Sequence, residues 1–201
     1  FVKLHEENPQ TRFIDQAVDI IEKGGVIIYP TDTVYAFAGD LLSKSAVEKI
    51  CQIKGIKPEK INLSIICESI SQVSNYTKQI PDPTFQLMRK NLPGPVTFIL
   101  HANKQVPKLF KNKKRTIGVR IPKNNICQAL IQRIGRPIVS TSIMENPETG
   151  TYDSDPNAIF NQFKNQIDMM LFTDQIPNEV SAVLDLTGEA IEIIRDGNFQ
   201  L

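Results

Sequence analysis

The chain has 201 residues, 41% hydrophobic and 22% charged, which is long and apolar enough to bury a core within one domain. No run approaches the roughly 18 to 20 apolar residues that a membrane-crossing helix needs, and Glu6, Glu7 and Asn8 stand where a secretory leader would be apolar, so a cytoplasmic protein is expected. The net charge of +1 hides an uneven distribution: residues 83–144 carry 12 Lys/Arg and no Asp/Glu, between flanks rich in carboxylates.

In chain order, "NPQTRFIDQAVDIIEKGG" predicts a helix capped by Asn8, with Pro9 at its first position and Ile14, Ala17, Val18 and Ile21 on one face. "VIIYP" predicts a short strand stopped by Pro30. "SKSAVEKICQIKG" predicts a helix opened by a Ser45–Glu48 capping box and closed at Gly55, with Val47, Ile50 and Cys51 as its apolar stripe. Lys54 ends that stripe, so it either snorkels to water or points into a site. Strands follow at "INLSIIC" and "PVTFILHA", with a helix near 83–92 between them and a lysine-rich connection from Lys104 to Arg115 after them. Then come a strand at "TIGVRIP", a helix near 124–134, a strand at "RPIVSTS", an exposed loop at "MENPETGTYDSDP" and a helix near 156–165. Strands at "DMMLFTD", "SAVLDLT" and "AIEIIRD" complete the chain. Alternating elements early and clustered strands late predict an α/β (α+β) mixed sheet with packed helices, as a single domain over 1–201.

Cys51, Cys67 and Cys127 are odd in number and set in apolar surroundings, which reads as buried free thiols. With only His5 and His101 beside them, no metal site is expected. The nucleotide-binding patterns G-x-x-x-x-G-K-[ST] and G-x-G-x-x-G are absent, so a phosphate site must use side-chain cations and hydroxyls. In "YPTDTVYAFAGD", an extended course puts Thr31, Thr33 and Tyr35 on one face, as a wall for a small polar ligand, and directs Asp32 to the other. A tight turn between two strands, with Asp32 bonded to its own backbone, is the competing reading. The basic block reads either as a solvated face or as a polyanion site.

"GGVIIYPTDTVYAFAGD" resembles the P-T-[DE]-T-V-Y-G-L-G signature of the YrdC/YciO family of threonylcarbamoyl-AMP synthases, and "ICQIKGIKP", "LPGPVTFIL", "RTIGVRIP", "PIVSTS", "SAVLDLT" and "IIRDG" follow in the family's order. The likeness is closest to the YciO branch. It implies a twisted, open YrdC-like sheet with a positive concave face. It also implies a nucleotidyltransferase that joins L-threonine, bicarbonate and ATP into threonylcarbamoyl-AMP and pyrophosphate, for modification of a tRNA adenosine, with Mg2+ accompanying ATP. A non-catalytic binder of double-stranded RNA or tRNA on the same scaffold is the alternative.

By the same resemblance, Lys54 and Arg120 are the catalytic pair, Lys54 on the ATP phosphates and Arg120 on the threonine carboxylate. Thr33, Tyr35 and Ser181 join Arg120 around threonine; Lys57, Ser140, Ser142 and Arg195 join Lys54 around the nucleotide. Lys111, Lys113, Lys114 and Arg115 would meet RNA. The chain departs from the family pattern at Ile56, in place of the arginine of a Lys-x-Arg element, at Ala36 and Ala38 in place of glycines, and at Ile143-Met144 in place of Ala-Asn. The missing amide implies slow turnover, which Met144→Asn with Ile143→Ala is expected to raise.

Overall fold

The computed structural model describes residues 1–201 apart from 59–60, 62, 108–114, 144–150 and 175. Among these described residues, ten strands form one mixed sheet in the order β1-β8-β2-β3-β7-β4-β6-β5-β9-β10. They are β1 (Val2–Lys3), β2 (Ile27–Tyr29), β3 (Ala36–Asp40), β4 (Ser64–Ile66), β5 (Val96–His101), β6 (Thr116–Arg120), β7 (Ile138–Ser142), β8 (Met169–Phe172), β9 (Ala182–Asp185) and β10 (Glu192–Arg195). The helices are α1 (Thr11–Glu22), α2 (Lys44–Lys54), α3 (Ile70–Ser74), α4 (Asp82–Asn91), α5 (Asn125–Ile134) and α6 (Pro156–Phe163). The predicted elements are present, together with β3, which is not among the strands expected from sequence, and with β1 and α3, which are too short for periodicity to announce.

Two helix starts differ from expectation. α1 begins at Thr11, because the His5 ring and the Gln10 side chain hold residues 5–10 in a turn and the Gln10 carbonyl accepts from Phe13 and Ile14. α2 is capped by Ser43, whose Oγ accepts from the Ala46 N–H, while Ser45 lies inside the first turn and bonds Ser43. The C-terminal end follows expectation: Gly55 takes φ +63, a conformation costly for any residue with a Cβ.

Each face of the sheet carries its own core. On one, Phe37, Ile65, Phe98, Val119, Val139 and Leu184 are covered by α2, α4 and α6. On the other, α1 and α5 cover Ile27, Tyr29, Ala36, Ala38, Ile66 and Ile138. This second cluster includes no residue of β5, β6, β9 or β10 among those described. Strand register shows what takes its place: Ala38 pairs with Ser140, Ser140 with Ser64 and Ser64 with Gly118, a row of small residues at the same level of the same face. The three cysteines are buried free thiols.

Asp168, just before β8, ties the sheet to α2. Its Oδ2 accepts from the Val26 N–H at 2.8 Å and from Lys49 Nζ at 2.6 Å. Burial works against the charged carboxylate, but Lys49 and the Val26 N–H outweigh it and hold the pKa below the ordinary value of 3.8. A depressed acid stabilises the fold above its unfolded pKa and loses that contribution as pH falls through its folded one. Asp168→Asn is therefore expected to lower stability at pH 7 by about 1 kcal/mol, the pair being partly solvated. The gap from wild type in urea midpoints should narrow as pH falls through this lowered pKa.

Candidate functional site

The site grows from the point where β2 ends. Pro30 follows Tyr29, and residues 31–34 form a bend rather than continuing extended. Thr31 Oγ1 accepts from the Thr33 N–H at 3.0 Å and donates to the Val34 carbonyl at 2.7 Å, so Thr31, not Asp32, closes the turn. This breaks the strand alternation and separates two residues expected to share one wall. Thr33 stays beside Thr31, with hydroxyls 3.0 Å apart. Tyr35 packs into the core beneath α2 and α6, fully buried, with its hydroxyl directed at the Thr173 carbonyl. Burial raises its pKa.

Asp32 is the second correction. It does not point away: its Oδ1 accepts from Arg120 Nη2 at 2.5 Å and its Oδ2 from the Lys123 N–H at 2.9 Å. Arg120, the last residue of β6, also donates from Nη2 to Thr33 Oγ1 at 2.8 Å. Both charged side chains are nearly buried, at 9% and 10% exposure, and Arg120 Nε is buried without a hydrogen-bond partner among the described residues. A buried guanidinium with an unpaired donor is costly unless an acceptor completes it. Arg120 is therefore suited to an incoming anion.

Lys54 turns inward. Its half-buried ammonium donates to the Ser142 carbonyl at 2.6 Å, at the end of β7, and burial lowers its pKa. Two strand residues further back, Ser140 accepts from the Tyr29 hydroxyl at 2.9 Å. Beyond them, a Cβ on Gly118 would come within 2.5 Å of Ser64 Oγ and 3.3 Å of Thr97 Cγ2, so only glycine lets that floor stay flat. Thr97 Oγ1 lies 3.2 Å from Ser181 Oγ. Arg195 closes that end, donating from Nε to the Ser181 carbonyl at 2.7 Å and from Nη2 to Ser181 Oγ at 3.1 Å.

The structure thus joins Thr33 with Arg120, Lys54 with Ser142, and Ser181 with Arg195, while Tyr35 lies in the core and Lys57 is exposed. Sequence reasoning missed Asp32 as a partner of Arg120, and Tyr29, Ser64, Thr97 and Gly118 as parts of the polar half-face. The threonine in the middle of apolar "PVTFIL" was the available signal for Thr97. Met144, Lys111, Lys113 and Lys114 lie outside the described residues; Arg115 is exposed. Ile143 is not free to serve as a motif position: it is 2% exposed in the core and its N–H donates to the Tyr35 carbonyl. The Ile143→Ala half of the motif repair would open a cavity there. A cleft of about 420 Å3 between α4 and the β9–β10 hairpin, lined by Leu87, Leu186 and Ile191 among others, includes none of Lys54, Arg120, Ser181 or Arg195.

A mixed open sheet, with one face half covered by helices, the other half of that face lined by small residues, hydroxyls and two arginines, and a lysine at the strand ends, defines an α/β protein with a polar, cationic half-face. Residues 19–197 match the Sua5/YciO/YrdC family, described as telomere recombination, and the chain belongs to that family. It is 39% identical over 198 residues to YciO of Escherichia coli strain K12, covering 98% of this chain and 95% of YciO. The crystal structure of E. coli YciO superposes with a TM-score of 0.93 at 38% identity, covering 100% and 96% of the two chains. The threonylcarbamoyl-AMP synthase of Pyrococcus abyssi is 28% identical over 92% of this chain, which spans 54% of that enzyme's length. The crystal structure of P. abyssi Sua5 complexed with L-threonine matches with a TM-score of 0.84 at 25% identity, over 97% of this chain and 57% of that one.

Proposed function

We propose that the chain, read as one domain over 1–201, is a threonylcarbamoyl-AMP synthase-like nucleotidyltransferase acting on L-threonine, bicarbonate and ATP. The observation that carries this reading is the buried Arg120, whose Nε has no acceptor among the described residues. A carboxylate supplies that acceptor, and a relative of the same fold binds L-threonine. Thr33 and Ser181 would border the amino acid, while Lys54, Ser140, Ser142 and Arg195 would face the nucleotide.

The chemistry asks for little covalent help. The threonine amine attacks bicarbonate, which loses water to give a carbamate; a carbamate oxygen then attacks the α-phosphorus, and pyrophosphate leaves. The protein's part is to hold a zwitterion beside a triphosphate and to oppose the charge that develops, which a fixed lysine and arginines can do. Among the described residues no group of three or more His, Cys, Asp or Glu is placed to hold a metal. Mg2+ would come with the phosphates of ATP.

Incubation with threonine, bicarbonate and Mg-ATP should yield threonylcarbamoyl-AMP by mass spectrometry, with pyrophosphate release dependent on threonine. Absence of product from correctly folded protein would favour the RNA-binding alternative. That alternative has narrower support, since three cations of the basic block are paired within the chain: Arg120 with Asp32, Arg133 with Asp15, and Arg136 with Asp40 and Glu22.

A further inference from the structure

We infer that Asp32 is a positioning residue, which fixes the Arg120 guanidinium in the orientation that a ligand carboxylate requires. The inference rests on the reading of Arg120 as the carboxylate-binding group. Asp32 sits in the turn that Thr31 pins, so its backbone is held before its side chain acts. One carboxylate oxygen takes Arg120 Nη2 and the other takes the Lys123 N–H, linking the β2–β3 turn to the segment that follows β6. Thr33 Oγ1 takes Nη2 as well. An arginine carries five N–H donors in one plane, two of them on Nη2, so two acceptors on that nitrogen set the direction of the whole plane. The Nε donor is then left buried without an acceptor among the described residues.

An ion pair that served stability alone would be expected to satisfy its buried donors, and buried pairs add little net stability over apolar residues of similar volume. Here, among the described residues, the pair leaves the buried Nε donor open while Nη2 is shared between Asp32 and Thr33. Both Asp32 oxygens are engaged, so the residue acts through Arg120 and not on the substrate. A guanidinium released from Asp32 could turn about its side-chain torsions, and ligand binding would have to restore the orientation at an entropic cost.

The test compares wild type with Asp32→Ala, Asp32→Asn, Asp32→Glu, Arg120→Ala and the Asp32→Ala/Arg120→Ala double variant. L-threonine and ATP are titrated separately by calorimetry, and the Arg120 Nε–H signal is followed by NMR in ligand-free protein. Asp32→Ala and Asp32→Asn are expected to weaken threonine binding tenfold or more while ATP binding stays within twofold, and Asp32→Glu to recover part of the loss. The double variant should bind threonine no more weakly than Arg120→Ala. The Nε–H signal, protected from water exchange in wild type, should be lost to exchange in Asp32→Ala. If Asp32→Ala does not fold, Asp32→Asn, with the same shape, carries the comparison. Wild type that binds no threonine would end the carboxylate reading, and the ligand-free Nε–H signal would still decide for or against positioning. An unchanged Nε–H signal, or equal losses of threonine and ATP affinity, would overturn the inference.

Discussion

Arg120→Ala is expected to cost about 3–5 kcal/mol of stability and to remove measurable L-threonine binding. The stability loss follows from burial: Asp32, 10% exposed, would lose its ion-pair partner in a poorly solvated site, and truncating one member of such a pair costs far more than the pair contributes. The binding loss follows from the absent guanidinium. Urea unfolding checks the first and calorimetric titration the second. Arg120→Lys separates the two effects, since it keeps a charge near Asp32 but lacks the planar fork. It should recover much of the stability and little of the binding. Adding Asp32→Ala to Arg120→Ala should restore stability relative to the single variant, because no buried carboxylate is then left unpaired. Intact threonine binding by Arg120→Ala would refute the assignment.

Lys54→Ala is expected to weaken ATP binding by about 1–3 kcal/mol, the range for losing one charge-assisted hydrogen bond. Its effect on threonine should be small. The same lysine predicts a pH dependence. Burial lowers its pKa from the ordinary 10.5, so the ammonium gives up its proton at a lower pH than a solvated lysine would. The cation is the form that opposes phosphate charge, so ATP affinity should be full below that lowered pKa and decline as pH rises through it, before free lysines titrate. In Lys54→Ala this alkaline decline should be absent. Titrations from pH 7 to pH 10 check both statements, and equal profiles for the two proteins would remove Lys54 from the phosphate site.

The basic block shows how linear charge density misleads. Twelve cations without a carboxylate over 62 residues look like a bare positive surface in sequence. In the fold, Asp15, Glu22, Asp32 and Asp40, all from before residue 83, reach across to Arg120, Arg133 and Arg136. Folding brings the acidic flank onto the basic segment, so opposite charges far apart in the chain neutralise one another locally.

What the sequence determined by itself was the set of elements and the residue types of the site. Apolar spacing marked α1, α2 and α5, β-rich runs bounded by glycine and proline marked most of the strands, and buried free cysteines followed from their number and setting, because these signals are local and repeat within a few residues. The lysine at the end of the α2 stripe and the Thr-Asp-Thr knot were also legible as polar groups in apolar company, while Arg120 was singled out only through the family resemblance. Only the tertiary structure decided which of them meet. A hydroxyl at residue 31 turned the chain where alternation required it to run straight, sending Tyr35 to the core and Asp32 to Arg120. The polar half-face exists because β3, β7, β4 and β6 lie side by side in an order unrelated to their order in the chain, which aligns Ser140, Ser64 and Gly118 across three strands. Contacts 88 residues apart, such as those of Arg120 with Asp32 and Lys54 with Ser142, depend on that strand order and on where each strand stops. No local pattern encodes them, since each residue's own neighbours in sequence are compatible with many partners.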